Sequence, residues 1–273
     1  MRIELELVSP SDLQVDMGML SPSKVLCLPS TEIEKLTVLV AGRPYPLGEH
    51  FKLTRSEAEV DELVLFGQTR RIVSAGRGMD AGRLVIDGEA GPFTGLEMKG
   101  GELEVSGNAG DCLGVAMCGG LLRVRGSAGD WCGASLPGQA RGMTGGTIFV
   151  DGNVGLEAGA GMRRGLMVVG GDSGESMGAG MLAGTIFCLG RLGPGAGLEL
   201  KRGSLVAGSS VMLLPGFRPA GEADPEWLHI YLTSFRRLGL TYPHVWDRQP
   251  PQRFTGDHLV MGKGEVLVYD ILE

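Results

Sequence analysis

The chain has few of the residues on which catalytic and metal-binding sites are usually built. Four histidines and five cysteines occur among its 273 residues, and aromatic residues make up 5%. The histidines are scattered, without a cysteine or carboxylate at ligand spacing. Cys112, Cys118 and Cys132 do not match the usual iron–sulfur spacings, and five cysteines in so long a chain make no disulfide framework. We therefore expect no catalytic, cofactor-binding or metal-binding residue, reduced thiols and a cytoplasmic location.

Long apolar runs and an excess of basic residues are also missing. No run reaches the 18 or more apolar residues of a membrane-spanning helix, and residues 1–7 carry charges where a signal peptide is apolar. The formal net charge is −7, whereas nucleic-acid binding normally needs a basic excess or stripe. We therefore expect neither a membrane nor a nucleic acid as a partner. Among the basic residues, 19 are arginine and 6 are lysine, which is typical of GC-rich bacterial genes.

Glycine is abundant, and its distribution is periodic. The chain has 47 glycines, and six of them follow one another at steps of 19, 19, 26, 19 and 19 residues. These six are Gly91, Gly110, Gly129, Gly155, Gly174 and Gly193. A second series keeps the same steps: Met79, Met98, Met117, Met143, Met162, Met181 and Leu200. Self-similarity at a short fixed period predicts a solenoid, with a seven-residue insertion in one repeat.

Each repeat ends in a segment with the alternation of a β-strand. One face of these segments is apolar in every repeat, and the methionine series supplies a second inward row. The inward pairs are Leu84/Ile86, Leu103/Val105, Leu122/Val124, Ile148/Val150, Met167/Val169 and Ile186/Cys188. Stacked coils about 4.8 Å apart would pair these strands in parallel, and parallel crossovers are right-handed. The sequence predicts an all-β fold, a right-handed parallel β-helix of about seven coils with a 19-residue repeat.

Glycine pairs precede several strands, at the place where a short coil must turn sharply. Gly100, Gly119 and Gly145 begin three such pairs. Glycine adopts the backbone angles of sharp turns without steric cost, so we expect corners there.

The two ends lack the repeat, and solenoids need caps over their open ends. We expect residues 1–62 to form an N-terminal cap, residues 63–215 the glycine-rich β-helix, and residues 216–273 a C-terminal helix and terminal strand. Apolar residues at helical spacing, from Trp227 to Leu238, predict a helix over residues 225–238. The strand is predicted at residues 265–269.

The outward strand positions become apolar towards the C-terminal coils. They read Val85, Glu104 and Arg123 in the first repeats, and then form what we call the apolar stripe: Phe149, Val168, Phe187 and Val206. An exposed stripe of this kind usually marks a protein–protein interface. The alternative is that the helix predicted over residues 225–238 folds back and covers it.

Four basic residues occupy equivalent outward positions two coils apart. They are Arg163, Arg164, Lys201 and Arg202. They are candidates for holding an anionic tail or a partner's carboxylate. An ordinary solvated surface is the simpler interpretation.

The sequence motifs of the repeat resemble those of a known family. Residues 95–111, 141–146 and 179–190, with the tail motifs at 255–257 and 262–265, are similar to the subunit designated C in formylmethanofuran dehydrogenase and to its counterpart in the bacterial formyltransferase/hydrolase complex. The glycine-rich C-terminal domain of the glutamate synthase large subunit shares the pattern. The resemblance covers residues 76–208 and the tail, whereas the first 60 residues are only loosely similar.

The resemblance implies a non-catalytic structural subunit of a one-carbon enzyme complex. In such complexes formyl groups move between a tetrahydromethanopterin carrier and a methanofuran-type cofactor, and formate is released at a metal centre. The implied partners are formyltransferase and amidohydrolase-like subunits, which hold the cofactor and the metal. The arginine-rich composition favours the bacterial complex.

Three alternatives remain open at this point. One is the corresponding subunit of a molybdenum or tungsten formylmethanofuran dehydrogenase, and another is a freestanding module of the glutamate synthase type. A β-helical sugar lyase or acyltransferase is disfavoured, because the sequence has neither clustered calcium-binding carboxylates nor hexapeptide repeats.

Overall fold

The periodicity of the sequence reappears as short parallel strands joined by tight turns. The structure, a computed structural model, describes residues 1–8, 12–209, 211–222, 226–237, 242, 244–247 and 249–269. Within these residues there are seventeen strands and three α-helices.

The strands are β1 (Arg2–Leu7), β2 (Val15–Asp16), β3 (Thr37–Val40), β4 (Arg43–Pro46), β5 (Phe51–Ser56), β6 (Glu62–Gly67), β7 (Ile72–Val73), β8 (Arg83–Asp87), β9 (Glu102–Val105), β10 (Leu121–Val124), β11 (Thr147–Val150), β12 (Leu166–Val169), β13 (Thr185–Cys188), β14 (Arg202–Ala207), β15 (Arg218–Glu222), β16 (Gln252–Gly256) and β17 (Lys263–Val268). The helices are α1 (Pro22–Val25), α2 (Ser30–Ile33) and α3 (Glu226–Arg237). Among the described helices, none combines the length and apolar character needed to cross a bilayer.

Thirteen strands form one sheet, in the order β15-β16-β17-β14-β13-β12-β11-β10-β9-β8-β6-β1-β5. From β1 through β14 to β17 all pairings are parallel, whereas β5 at one edge and β15 and β16 at the other run antiparallel to their neighbours. The strands β4-β3-β2-β7 form a smaller second sheet. The all-β fold is thus confirmed, and the right-handed winding stays a prediction.

The pairing register follows the sequence repeat. Leu103 is opposite Leu122, which is opposite Ile148, and Ile148 is opposite Met167. These steps of 19, 26 and 19 residues are those of the glycine series. A second line of parallel bridges connects Ala90, Ala109, Ala128, Val154 and Ser173 on another side of each coil. Each coil therefore pairs with the next at two places around its circumference.

The predicted inward rows form the core. All the inward strand residues, and the series from Met79 to Leu200, are buried. The corner prediction is confirmed for the second glycine of each pair: Gly101, Gly120 and Gly146 have φ of 77°, 87° and 85°. This left-handed conformation carries a steric cost for residues with a Cβ.

A ladder of side-chain hydrogen bonds runs along one edge of the stack. The backbone N–H of Ser127 donates to Asn108 Oδ1 (2.9 Å), and that of Asn153 donates to Ser127 Oγ (3.0 Å). The N–H groups of Asp172 and Arg191 donate to Asn153 Oδ1 and Asp172 Oδ1, each at 2.8 Å. Short polar side chains that accept from backbone N–H groups satisfy donors left unpaired at tight turns.

The terminal segments extend the sheet as well as flanking it. Strand β1, within the predicted N-terminal cap, pairs in parallel with β6, so this segment lengthens the same sheet. Strand β17, close to the strand predicted at residues 265–269, occupies the position of a further coil beside β14. The helix predicted over residues 225–238 corresponds to α3, while Pro225 and Leu238 lie outside the described residues.

Candidate partner interface

The apolar stripe is covered by the chain itself. Phe149, Val168, Phe187 and Val206 are at most 4% exposed, and they form one cluster with residues of α3 and of the C-terminal segment. The expectation of an exposed partner surface at these four residues is therefore corrected. The alternative, in which the C-terminal helix folds back over the stripe, describes the structure.

Helix α3, which covers the apolar stripe, is amphipathic, and this explains why it packs against the stripe. Leu228, Leu232 and Phe235 lie at helical positions i, i+4 and i+7 on one face of α3, and all three are buried. Apolar residues at this spacing give a helix one side that must be covered. The rings of Phe235 and Phe187 meet edge to face with centroids 4.9 Å apart.

The outward face of the earlier coils is polar and internally paired. Arg83 Nη2 lies 3.0 Å from Glu104 Oε2, and Arg125 Nη2 lies 2.7 Å from the other oxygen of Glu104. Arg123 pairs with Asp151 at 3.3 Å. The same sheet face thus changes from ion pairs to apolar packing between β10 and β11.

The structure places the four predicted basic residues on the surface. Arg164 and Arg202 are exposed, while Arg163 and Lys201 are half-buried. Within the described ranges, no carboxylate forms an ion pair with any of the four. Two coils separate the two pairs, which corresponds to about 10 Å along the stack. Their role in holding an anionic group stays a prediction.

A groove that the sequence reasoning missed lies at one corner of the coils. Phe93, Cys112, Trp131 and Glu157 occupy the same position in four successive coils, and all four line the groove. Its volume is about 420 Å³. Phe93 and Trp131 are 38% and 41% exposed, so the groove presents two aromatic side chains to solvent.

The seven-residue insertion forms one wall of this groove. Leu136, Pro137, Gly138 and Gln139 belong to the 26-residue coil and line the groove. The N–H of Gln139 donates to the carbonyl of Leu136 at 2.9 Å, which closes a turn. The insertion thus leaves the stack and adds a wall beside Trp131.

One carboxylate, that of Glu157, lines the groove, and those of Asp111 and Asp130 lie beside its lining residue Cys112. The N–H of Asp130 donates to Asp111 Oδ1 (3.0 Å), and that of Leu156 donates to Asp130 Oδ1 (2.8 Å). Burial, and then the charges of Asp111 and Asp130, raise the pKa of the Cys112 thiol. Neither carboxylate, nor that of Glu157, forms an ion pair within the part of the chain that the structure describes. The carboxylates of Asp111 and Asp130 thus act on Cys112 at the groove, and Glu157 lies in its lining.

The remaining cysteines and carboxylates do not come together. Burial raises the pKa of Cys132 and of Cys188 to about 12, so both are neutral thiols at physiological pH. Among the described residues, no three His, Cys, Asp or Glu side chains are grouped so as to hold a metal ion. The described surfaces therefore offer binding features: an apolar groove, a paired polar face and a basic pair of coils.

These observations define the class: an all-β protein built on a mostly parallel thirteen-stranded sheet. Neither a protein-family model nor a curated protein sequence matches the chain. A solved structure does match, the X-ray crystal structure of the formyltransferase/hydrolase complex (FhcABCD) from Methylorubrum extorquens in complex with methylofuran. The chains share 31% sequence identity, with a TM-score of 0.87 over 97% of this chain and 98% of that one. The chain belongs to the family of formyltransferase/hydrolase complex subunits.

The resemblance found in the sequence is thereby confirmed at the level of the complex. The sequence also carries one signal that points to the groove. At the corner position that holds Phe93 and Trp131, other coils have Ser74, Ser176 and Gly195, and the insertion begins shortly after Trp131. Bulky residues in a column where glycine is the easiest choice indicate a role outside the fold.

Proposed function

We propose that this chain is the β-helical subunit, designated C, of a formyltransferase/hydrolase complex and that it is structural and non-catalytic. The end-to-end similarity to a chain of that complex carries the proposal, because it includes the N-terminal segment for which the motifs gave little support. In this role the right-handed β-helix is a scaffold on which other subunits assemble.

The chemistry of the complex is assigned to the other subunits. A formyltransferase subunit and an amidohydrolase-like subunit would move the formyl group between a tetrahydromethanopterin carrier and a methanofuran-type cofactor and release formate. No cofactor or metal is placed on this chain. The separated histidines and the neutral buried thiols support this division of labour. The five free cysteines suit a complex that works in the reducing cytoplasm.

Co-expression with the two proposed partner subunits tests the assignment. We expect native mass spectrometry to detect a hetero-oligomer that contains this chain, and formate release in the complex but not in the purified chain. A chain that stays monomeric or homo-oligomeric beside these partners would contradict the proposal. Co-purification with a molybdenum or tungsten dehydrogenase would replace it by the dehydrogenase alternative.

A further inference from the structure

The corner groove is lined by residues other than those of the covered stripe, and two of its aromatic side chains are only partly buried. Phe93 and Trp131 have about two fifths of their surface exposed, although both are large aromatic residues. Val115, Ala134 and Ala160, which are buried, lie in the lining beside them. Aromatic side chains held at the surface beside an apolar floor are typical of binding anchors.

The backbone at these side chains is in an unfavourable region. Phe93, Cys112, Trp131 and Glu157 have φ of 61°, 61°, 58° and 52°. A left-handed conformation carries a steric cost for a residue with a Cβ. Gly195 takes this position in the last coil with φ of 73°, so the same corner can be built without that cost. Ser74 and Ser176 have the same conformation in other coils, with φ of 58° each, so the strain belongs to the repeated corner and the groove is distinguished by the large aromatic side chains placed on it.

The charges around the groove restrict what it binds. Asp111 and Asp130 use one oxygen each to accept a backbone N–H, which leaves the second oxygen available. Glu157 adds a third carboxylate in the lining. A positively charged side chain would gain both from these carboxylates and from the faces of the aromatic rings.

We propose that this groove binds an apolar segment carrying lysine or arginine side chains, contributed by another subunit of the complex. The inference rests on the proposed function and deepens it by naming the surface and the chemistry of the partner. Four coils span about 14 Å, the length of about four extended residues. A second copy of this chain is a poorer occupant, because a two-fold contact would place the three carboxylates against their own copies.

The apolar part of the proposal is tested in the assembled complex. We expect W131A and F93A each to weaken association of this chain with the remaining subunits at least tenfold, measured by titrating the labelled chain against them. The matched control is I230A, which removes a 68% exposed apolar side chain from α3. Equal affinities of W131A and the parent chain would overturn the proposal. Circular dichroism verifies that the variants are folded.

The charge part is tested with a variant that keeps the hydrogen bonds. The variant D111N/D130N/E157Q retains an acceptor oxygen at each position, so the backbone contacts can persist. We expect it to weaken association several-fold at low salt and to reduce the salt dependence. The control D87N/E57Q/E59Q removes the same charge from exposed positions elsewhere. If both triple variants behave alike, the groove is not the source of the electrostatic contribution.

A peptide experiment separates this inference from the proposed function. The probes are a ten-residue leucine–lysine peptide and its leucine–glutamate analogue, followed by tryptophan emission of the purified chain. We expect the lysine peptide alone to change the emission, and F93A, which keeps Trp131 as the reporter, to abolish the change. If the peptide results are as expected but no complex forms with the formyl-transfer subunits, the proposed function is contradicted and the inference about the groove is supported. If the complex forms with W131A as with the parent, or if the groove binds a second copy, the inference fails and the function stands.

Discussion

At Gly91 the absence of a side chain lets two coils touch through their backbones. A Cβ at this position would lie 2.2 Å from the carbonyl oxygen of Ile72 and 2.8 Å from that of Arg70. Its φ is not in the left-handed region. The glycines at Gly91 and its equivalents are therefore explained by close approach between coils alone, whereas the corner residues Gly120 and Gly146 combine close approach with a left-handed backbone. The sequence spacing revealed both series but not this difference in cause.

We expect G91A to lower the free energy of unfolding by about 3 kcal/mol, because neighbouring backbone atoms cannot move aside as a side chain can. The matched control is G180A. Gly180 has φ of 63°, a Cβ added to it would have no atom within 4 Å, and equivalent coils carry Glu97 and Glu199 there. We expect G180A to cost about 1 kcal/mol. Urea unfolding of both variants measures the difference, and equal costs would contradict the close-approach explanation.

A second residue-scale prediction concerns pH. The backbone N–H and then the guanidinium of Arg191 hold the pKa of the Asp172 carboxyl below its usual value. The charged carboxylate therefore stabilises the fold above the unfolded-state pKa, and this contribution is lost as the pH falls through the lower folded-state pKa. We expect a loss below about 1 kcal/mol, because the carboxylate is largely solvated. Comparison of D172N with the parent between pH 6 and pH 2 tests this, since the asparagine keeps the acceptor oxygen without titrating.

The residues whose neighbours are periodic could be predicted from the sequence. The methionine series and the inward strand pairs are buried as expected, because each makes the same contacts one coil away. The aromatic pair in the groove could not be identified in that way. Phe93 and Trp131 differ from the rest of their column, and a period describes only what repeats.

At the scale of elements, α3 is the part of the fold that the repeat does not determine. Alternation along the strands revealed the apolar stripe, but the segment that covers it begins at Glu226, beyond the last repeat. Two interpretations therefore remained open in the sequence, a partner surface and a folded-back helix. The buried face of α3 decides between them.

We expect F235A to lower the free energy of unfolding by about 3–5 kcal/mol, because it removes a fully buried ring from contact with Phe187. I230A, on the exposed side of the same helix, should change it by less than about 0.5 kcal/mol. Urea unfolding gives both values, and limited proteolysis should release the C-terminal segment first in F235A. A small effect of F235A would mean that α3 is not an integral cover.

At the scale of the whole molecule, we expect the stack to tolerate the loss of a complete repeat. Deletion of residues 91–109 joins Ala90 to Gly110 and replaces the inward pair Leu103/Val105 by Leu122/Val124. All pairing partners then shift by one coil without a change of register.

We expect the 19-residue deletion to keep a cooperative unfolding transition and a β-type circular dichroism spectrum. Deletion of residues 91–100 should abolish both, because it removes about half of a coil, so that the following strand no longer reaches its place beside β8. Circular dichroism and urea unfolding of the two variants provide the comparison. Similar behaviour of both deletions would show that register does not hold the stack together.

Each edge of the large sheet ends in an antiparallel pairing. Strand β5 runs antiparallel to β1, and β15 runs antiparallel to β16. The edge strand β15 also contains Pro219, which has no backbone N–H that could pair with an added strand. A second copy stacked end to end would have to add a parallel strand to an edge that is paired antiparallel. The hydrogen-bond spacing of the added strand would then not match that of the edge. The edges of the sheet therefore oppose end-to-end association of copies, which would otherwise extend the stack of strands into a fibril.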